Sequence, residues 1–206
     1  NEGVQVTLIA RNEEKLKATL TELPQQRQHD YIVADFSNPD ELKSKVSNYI
    51  SKNHGFHILV NNTGGPAGGP VFMADLDEFQ KAFTQHLKCN HVLTQTVVPF
   101  MKEAGYGRIV NVISTSANWS KTLANELGQF GITVNNVLPG ATGTERLTEI
   151  IKNKSAKSGN SEEEAAHAMK QAVPAKRFAK PEELADAITF LASERASYIN
   201  GINLPV

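Results

Sequence analysis

Apolar runs rich in β-branched residues alternate along this chain with amphipathic stretches of helical length, the pattern that repeated β-α units around a parallel sheet require. Val4–Ile9 reads as a strand, and Asn12 then caps a helix whose Leu16, Leu20 and Leu23 share one face before Pro24. Tyr31–Ala34 is a second strand. Asn38-Pro39-Asp40-Glu41 supplies a cap, a first-turn proline and a capping-box glutamate for a helix reaching about Gly55. His57–Val60 forms a third, buried strand, and Asn61-Asn62-Thr63-Gly64-Gly65-Pro66 is turn chemistry at its carboxyl end, where a ligand loop is expected. Asp75-x-x-Glu78 opens a long helical region to Met101, and Arg108–Ile113 is a buried strand ending at Ser114-Thr115-Ser116. Trp119, Leu123 and Leu127 stripe the next helix. Thr133–Leu138 is a strand that runs into Pro139-Gly140, Ser161-x-x-Glu164 and Pro181-Glu182-Glu183 start two further helices, and Ile202–Val206 closes the chain as a strand. The polar stretch Lys152–Asn160 reads as a solvated loop, with a substrate lid as the alternative.

The expected fold class is therefore α/β, a doubly wound parallel sheet in a three-layer α-β-α arrangement, with residues 1–206 as one domain around one core. Hydrophobic residues at 40%, charged residues at 21% and a net charge of −1 exclude a disordered chain and a polybasic nucleic-acid surface, which leaves a small molecule as the partner. Cys89 is the one cysteine, so no internal disulfide framework and no thiol-rich metal site are available, and a reducing, cytoplasmic compartment fits. No apolar run approaches the roughly 20 residues that span a bilayer, and no charged-then-apolar leader precedes the first strand pattern, so no membrane association is expected. The histidines His29, His54, His57, His86, His91 and His167 show no i,i+4 ligand pair with a third ligand nearby, and no metal site is expected.

Four local patterns, in this order, resemble the short-chain dehydrogenase/reductase family: Asn61-Asn62-Thr63-Gly64, the strand-end Ser114, Pro139-Gly140, and Arg177-Phe178-x-x-Pro181-Glu182-Glu183. Together they cover nearly the whole chain, and the look is nearest to bacterial 3-oxoacyl-acyl-carrier-protein reductases. The resemblance implies a Rossmann fold, an NAD(P)-dependent oxidoreductase and a homodimer or homotetramer. In an open parallel sheet ligands bind beyond the carboxyl ends of the strands, and all four patterns sit at such ends or flank them. The resemblance places Asp35 and Phe36 beside the adenine, Asn61, Thr63 and Gly64 along the adenosine ribose, and Pro139, Gly140, Thr142 and Thr144 against the nicotinamide carboxamide. It makes Ser114 the residue that orients a substrate carbonyl. At the end of the first strand Ala10-Arg11 offers a guanidinium where NAD enzymes carry an acid, so NADP(H) is preferred and NAD(H) is the less favoured cofactor. A solvated helix-start charge is the plainer reading of Arg11.

Three departures stand out. None of the four tyrosines, Tyr31, Tyr49, Tyr106 and Tyr198, is followed four residues later by lysine, although the family uses such a pair for proton transfer. The family's glycine-rich first turn has no counterpart, and Ala117 follows Ser116 about eighteen residues too early for the family's active-site loop and first helical turns. The first strand of a doubly wound sheet is central, and without it buried neighbours would expose unpaired edges. The complete protein is therefore expected to carry these segments, with a true deletion as the alternative. His86 stands where the family has an asparagine that holds a relay water; it reads equally as a proton relay or as a packing residue. The expected activity is hydride transfer between NADP(H) and a carbonyl or alcohol, with a 3-oxoacyl thioester as the substrate guess. The alternative is a catalytically degenerate dinucleotide binder acting as a sensor or assembly protein.

Overall fold

The structure, a computed structural model, describes residues 3–64, 75–112 and 117–206. The chain divides into two compact units, one of residues 1–59 and 63–106, the other of residues 60–62 and 107–206. Among the described residues, strands pair into two parallel sheets, β1-β2 and β3-β4-β5-β6. Among the described residues no strand pairs with both sheets, and the central strand that the resemblance calls for has no counterpart in the sequence.

In the first unit β1 (Thr7–Ala10) pairs with β2 (Asp30–Val33), Thr7 opposite Asp30 and Ala10 opposite Val33. Helix α1 (Glu13–Glu22) starts where the Asn12 side chain accepts from the Lys15 amide at 2.9 Å. Helix α2 (Pro39–Lys52) starts in the same way, with the Asn38 side chain accepting from the Glu41 amide and Pro39 in its first turn. β3 (Ile58–Asn61) crosses from this unit into the second. The expected long helix is in fact three pieces: α3 (Leu76–Phe83), a π-helical segment (Thr84–Lys88) and α4 (Cys89–Ala104). On α4 the buried residues Cys89, Leu93, Val97 and Met101 recur every fourth position, forming one stripe that packs with Leu42 and Val46 of α2 into the core of the unit. Each such aliphatic side chain contributes about 1.5–3 kcal/mol of burial. Pro99 interrupts α4 on its exposed side, and Gln95, whose carbonyl loses its amide partner to the proline, is exposed on that side too, within reach of water. The Cys89 thiol is fully buried and donates to the Phe36 carbonyl at 3.0 Å.

In the second unit β4 (Gly107–Val112) pairs with β5 (Ile132–Leu138), Gly107 opposite Ile132, and β5 pairs with β6 (Asn203–Pro205), Asn136 opposite Asn203. Side chains alternate across these strands. Val110 and Val137 point to one face, where they pack with Leu191 of α8 (Pro181–Ala192) and with Ala196. Their neighbours Asn111 and Asn136 point to the other face, where Ser120 of α5 (Ala117–Leu127) meets them. Helices thus cover both faces of the sheet. Helices α6 (Glu145–Ser158) and α7 (Glu162–Ala172) complete the unit, and the predicted capping box of α7 is formed: the Ser161 hydroxyl accepts from the Glu164 amide, and the Glu164 carboxylate accepts from the Ser161 amide.

Helix α6 corrects the sequence reading. Lys152–Asn160 is its last turns and cap rather than a loop: Leu147 anchors the helix in the core, and Gly159, left-handed with φ 73°, ends it. The polar composition marks an exposed helix surface.

The sheet of the second unit is cross-linked by a chain of amides, buried at Asn61, Asn111 and Asn136 and exposed at Asn203. Asn61 Nδ2 donates to Asn111 Oδ1 at 2.8 Å, Asn111 Nδ2 donates to Asn136 Oδ1 at 3.3 Å and to Ser120 Oγ at 3.2 Å, and Asn136 Nδ2 donates to Asn203 Oδ1 at 2.7 Å. Ser120 Oγ closes a triangle by donating to Asn136 Oδ1 at 2.6 Å. Each amide donates in the same direction across β3, β4, β5 and β6, so the bonds polarise one another.

Two expected outcomes follow from this packing. Asn136→Ala strips the Ser120 hydroxyl and the Asn203 carbonyl of a buried partner and lowers stability by about 2–3 kcal/mol, read as a lower urea midpoint at unchanged m value. Burial, with the Asp35 charge adding to it, pushes the Cys89 thiol up to about 11 from the ordinary 9.0. The folded thiol keeps a proton that the unfolded one releases, so its contribution to stability is complete below about pH 9 and is lost as pH rises through 11. A thiol-reactive chromophore leaves Cys89 untouched in the native protein and titrates it once urea is added.

Candidate functional site

The sequence-predicted site residues fall into one group per unit, apart from Ser114, which lies outside the described residues. In the first unit the parallel register sets Arg11 and Asp35 beside one another at the carboxyl ends of β1 and β2, where the Ala34 amide donates to the Ala10 carbonyl at 3.0 Å. Arg11 is exposed. Asp35 is half-buried and turns back on its own chain, Oδ1 accepting from the Ser37 amide at 2.8 Å. The Ser37 amide and hydroxyl, with the Arg11 charge, hold the Asp35 carboxyl below its ordinary range. Phe36 follows, its carbonyl tied to the Cys89 thiol.

Thr63 and His86 meet. Thr63 Oγ1 lies 2.7 Å from His86 Nδ1, a hydrogen bond in which the tautomer decides the donor. His86 is the middle residue of the π-helical segment, whose wider turn is a frequent feature of functional sites. A Cβ built on Gly64 would meet no atom of the described residues within 4 Å.

In the second unit Asn61 heads the amide chain. It is 2% exposed, and its Oδ1 is buried with no hydrogen-bond partner among the described residues. At the end of β5, Gly140 donates its amide to the Val206 carbonyl at 2.7 Å, and a Cβ there would come within 3.1 Å of that oxygen, so a larger residue would push the carbonyl back by a few tenths of an ångström. Thr142 is buried, with its hydroxyl on the Gly140 carbonyl; the Thr144 amide donates to the Thr142 carbonyl at 2.8 Å. Both threonines therefore brace the loop.

Sequence reasoning missed how that loop is held. The Ala179 amide donates to the Ala141 carbonyl at 2.9 Å and the Gly143 amide to the Ala179 carbonyl at 2.8 Å, forming a bridge between Thr142 and Ala179. Ala179 lies between Phe178, whose carbonyl accepts from Arg177 at 3.2 Å, and Lys180, whose amide donates to Glu183 at 2.8 Å, while Arg177 grips Glu183 with both terminal nitrogens at 2.6 Å. The Arg177 guanidinium, and after it the Lys180 amide, bring the Glu183 carboxyl down to about 2. The segment from Arg177 to Glu183 is a clamp on the loop after Pro139-Gly140. Asn111, Ser120, Asn136 and Asn203 were missed as well, although an asparagine inside a buried strand such as RIVNVI or TVNNVL is itself a signal of a specific partner.

Known proteins share this architecture along the whole chain. The family described as enoyl-(acyl carrier protein) reductase matches residues 1–206. The chain is 30% identical to the 3-oxoacyl-[acyl-carrier-protein] reductase of Rickettsia felis, over 99% of this chain and 85% of that one. That alignment extends over 222 positions, more than the 206 residues present, so the relative has internal residues with no counterpart here. Among solved structures, an actinorhodin polyketide ketoreductase with NADPH superposes with a TM-score of 0.91 at 29% identity, covering 100% of this chain and 87% of that one. The L-sorbose reductase of Gluconobacter frateurii, complexed with NADPH and L-sorbose, superposes with a TM-score of 0.89 at 27% identity, covering 100% and 86%. No helix among the described residues is long and apolar enough to cross a membrane. With the Rossmann-type α/β fold and a family match over all its residues, the chain belongs to the short-chain dehydrogenase/reductase family of NAD(P)-dependent oxidoreductases.

Proposed function

We propose that this chain is an NADP(H)-dependent carbonyl reductase that works reversibly on alcohols, with 3-oxoacyl thioesters as its substrate class. The observation that carries the cofactor choice is Arg11, exposed directly after β1 with Ala10 before it and no carboxylate at the strand end. A guanidinium there suits a 2′-phosphate, whereas an acid would repel it. The actinorhodin polyketide ketoreductase and the L-sorbose reductase, both solved with NADPH, support the same choice.

The resemblance assigns cofactor contacts to residues of each unit separately. In the first, Arg11 would take the 2′-phosphate, Asp35 and Phe36 the adenine, and Thr63 and Gly64 the ribose side, where a glycine carries no Cβ to hold a ligand off. In the second, Asn61 would present its unused Oδ1 to a donor, and Pro139, Gly140, Thr142 and Thr144 would border the nicotinamide. Bound in this way, NADPH supplies the hydride for the carbonyl carbon. Ser114 orients the substrate oxygen by resemblance to the family. The 2.7 Å hydrogen bond between Thr63 Oγ1 and His86 Nδ1 orients the imidazole, which suits His86 to proton relay in place of the family's asparagine. Homodimeric or homotetrameric assembly and a cytoplasmic location complete the reading.

A second reading is favoured by the absence of any Tyr-x-x-x-Lys pair in the 206 residues: a dinucleotide binder without turnover. Intact mass and NADPH oxidation with acetoacetyl thioesters separate the two. A mass above 22.5 kDa with turnover supports the reductase; a mass of 22.5 kDa with NADPH binding and no turnover supports the binder.

Arg11→Ala is expected to weaken NADPH binding about 10–100-fold, the loss of a charge-assisted pair, and to leave NADH binding unchanged; equal effects on both cofactors reject the 2′-phosphate role. His86→Leu is expected to lower kcat about 100-fold at unchanged NADPH affinity, and His86→Asn to retain most of the rate. Equal kcat in wild type and His86→Leu assigns His86 to packing.

A further inference from the structure

The turn before β6 in the second unit carries chemistry that the reductase reading leaves unused. Asn200-Gly201 is the one Asn-Gly pair in the sequence. Glycine has no Cβ to crowd its nitrogen, so in a free chain that nitrogen can fold back onto the asparagine side-chain carbon and close a five-membered ring. In the structure both partners of this ring closure are tied down. Asn200 is half-buried; its Oδ1 accepts from the Val134 amide at 2.8 Å, and its Nδ2 donates to the Ala124 carbonyl in the last turn of α5 at 3.0 Å. The Gly201 amide donates to the Val134 carbonyl at 2.9 Å, and the next amide, of Ile202, donates to Asn135 Oδ1 at 3.2 Å. The asparagine side chain thus links β5 to α5, and the nitrogen that would attack it is held by β5.

We infer that Asn200 is a self-modification site which the folded chain holds closed and unfolding opens: once the turn leaves β5, Asn200 deamidates through its own backbone and the chain loses its native fold for good. In this step the Gly201 nitrogen gives up its proton and attacks Asn200 Cγ. A Cγ–N bond forms, the Cγ–Nδ2 bond breaks, and the released proton ends on the departing amide, which leaves as ammonia. Water then opens the cyclic imide at either carbonyl and yields aspartate or isoaspartate; it is the one co-reactant, and nothing is oxidised or reduced.

Neither product fits the turn. Aspartate has no donor for the Ala124 carbonyl and sets a negative charge against it. Isoaspartate adds a methylene to the main chain, so the Gly201 and Ile202 amides can no longer both meet β5 at Val134 and Asn135. Both changes loosen β6, which follows directly and whose neighbour Val206 holds the Gly140 amide through its carbonyl. A single amide hydrolysis therefore slackens the loop after Pro139-Gly140. The inference stands on the fold alone and is independent of which cofactor or substrate the protein takes.

The test holds the wild-type chain at mildly alkaline pH in buffer and in guanidinium chloride at and above its unfolding midpoint. Trypsin cuts after Arg195, so mass spectrometry of peptide 196–206, with enzymatic methylation of isoaspartate, counts the converted Asn200. Conversion is expected in the unfolded chain, at half that rate at the midpoint, and at least about 100-fold more slowly in buffer, because the rate follows the unfolded fraction. Equal rates in buffer and in denaturant, or no conversion of the unfolded chain, overturn the inference. Aged chains are then diluted back into buffer. The converted fraction is expected to be missing from the refolded protein or to unfold at a lower midpoint, and Asn200→Asp, made directly, to lower the midpoint at unchanged m value. Converted chains that refold with the wild-type midpoint reject the claim that the native fold is lost. Should Asn200→Asp yield no folded protein, the aged wild type alone decides.

Discussion

The amide chain from Asn61 to Asn203 is the constraint on which the second unit depends. Parallel strands with apolar faces specify burial but only weakly specify offset, because a slip by two residues returns every side chain to the same face. Three asparagines inside the buried strands remove that freedom. Asn111 finds Asn61 on one side and Asn136 on the other only in the observed register, and any slip leaves several amide groups buried without partners. Ser120 extends the same requirement to α5, whose axial position is fixed by the two bonds its hydroxyl makes. The opposite face, with Val110, Val137 and Leu191, supplies the bulk of the burial but little of this specificity.

The functional ends of the strands inherit their geometry from such fixings. Gly140 is held by Val206, Ala141 and Gly143 by Ala179, and Ala179 lies inside the turn that the Arg177–Glu183 pair closes. That ion pair is exposed, so its worth to global stability is small. Its two-point geometry matters more, because a guanidinium gripping a carboxylate through both nitrogens resists rotation and keeps the bend before α8 in one shape. A loop that must present backbone groups to a ligand gains more from such rigidity than from added burial.

Much of this was legible in the residues. The caps at Asn12, Asn38 and Ser161 act as their spacing implied, and six strands stand where the apolar runs placed them, shifted by a residue or more at most ends. Local signals of that kind need only neighbours in sequence. The failures have different causes. Lys152–Asn160 looked like a loop because its helix buries little beyond Leu147 and leaves its polar surface to water. The long helix before Ala104 gave no sign of a π-helical segment, since a widened turn keeps ordinary helical residues and differs only in which carbonyl each amide chooses. The clamp role of Arg177 was equally hidden. The motif was recognised as a pattern, but what it holds lies more than thirty residues away in the chain.

The widened turn at Thr84–Lys88 also fixes a phase relation. An α-helix advances about 100° per residue, and the wide turn lets five residues occupy nearly the angular span of four, so the sequence positions that share a face shift by one across the segment. The four-residue repeat of Cys89, Leu93, Val97 and Met101 holds only after it. Excising a single residue between 84 and 88 would heal the helix into regular α geometry with little change in composition. It would also remove the widened turn that carries His86 beside the Thr63 hydroxyl, so the length of this short segment is under tighter restraint than its sequence.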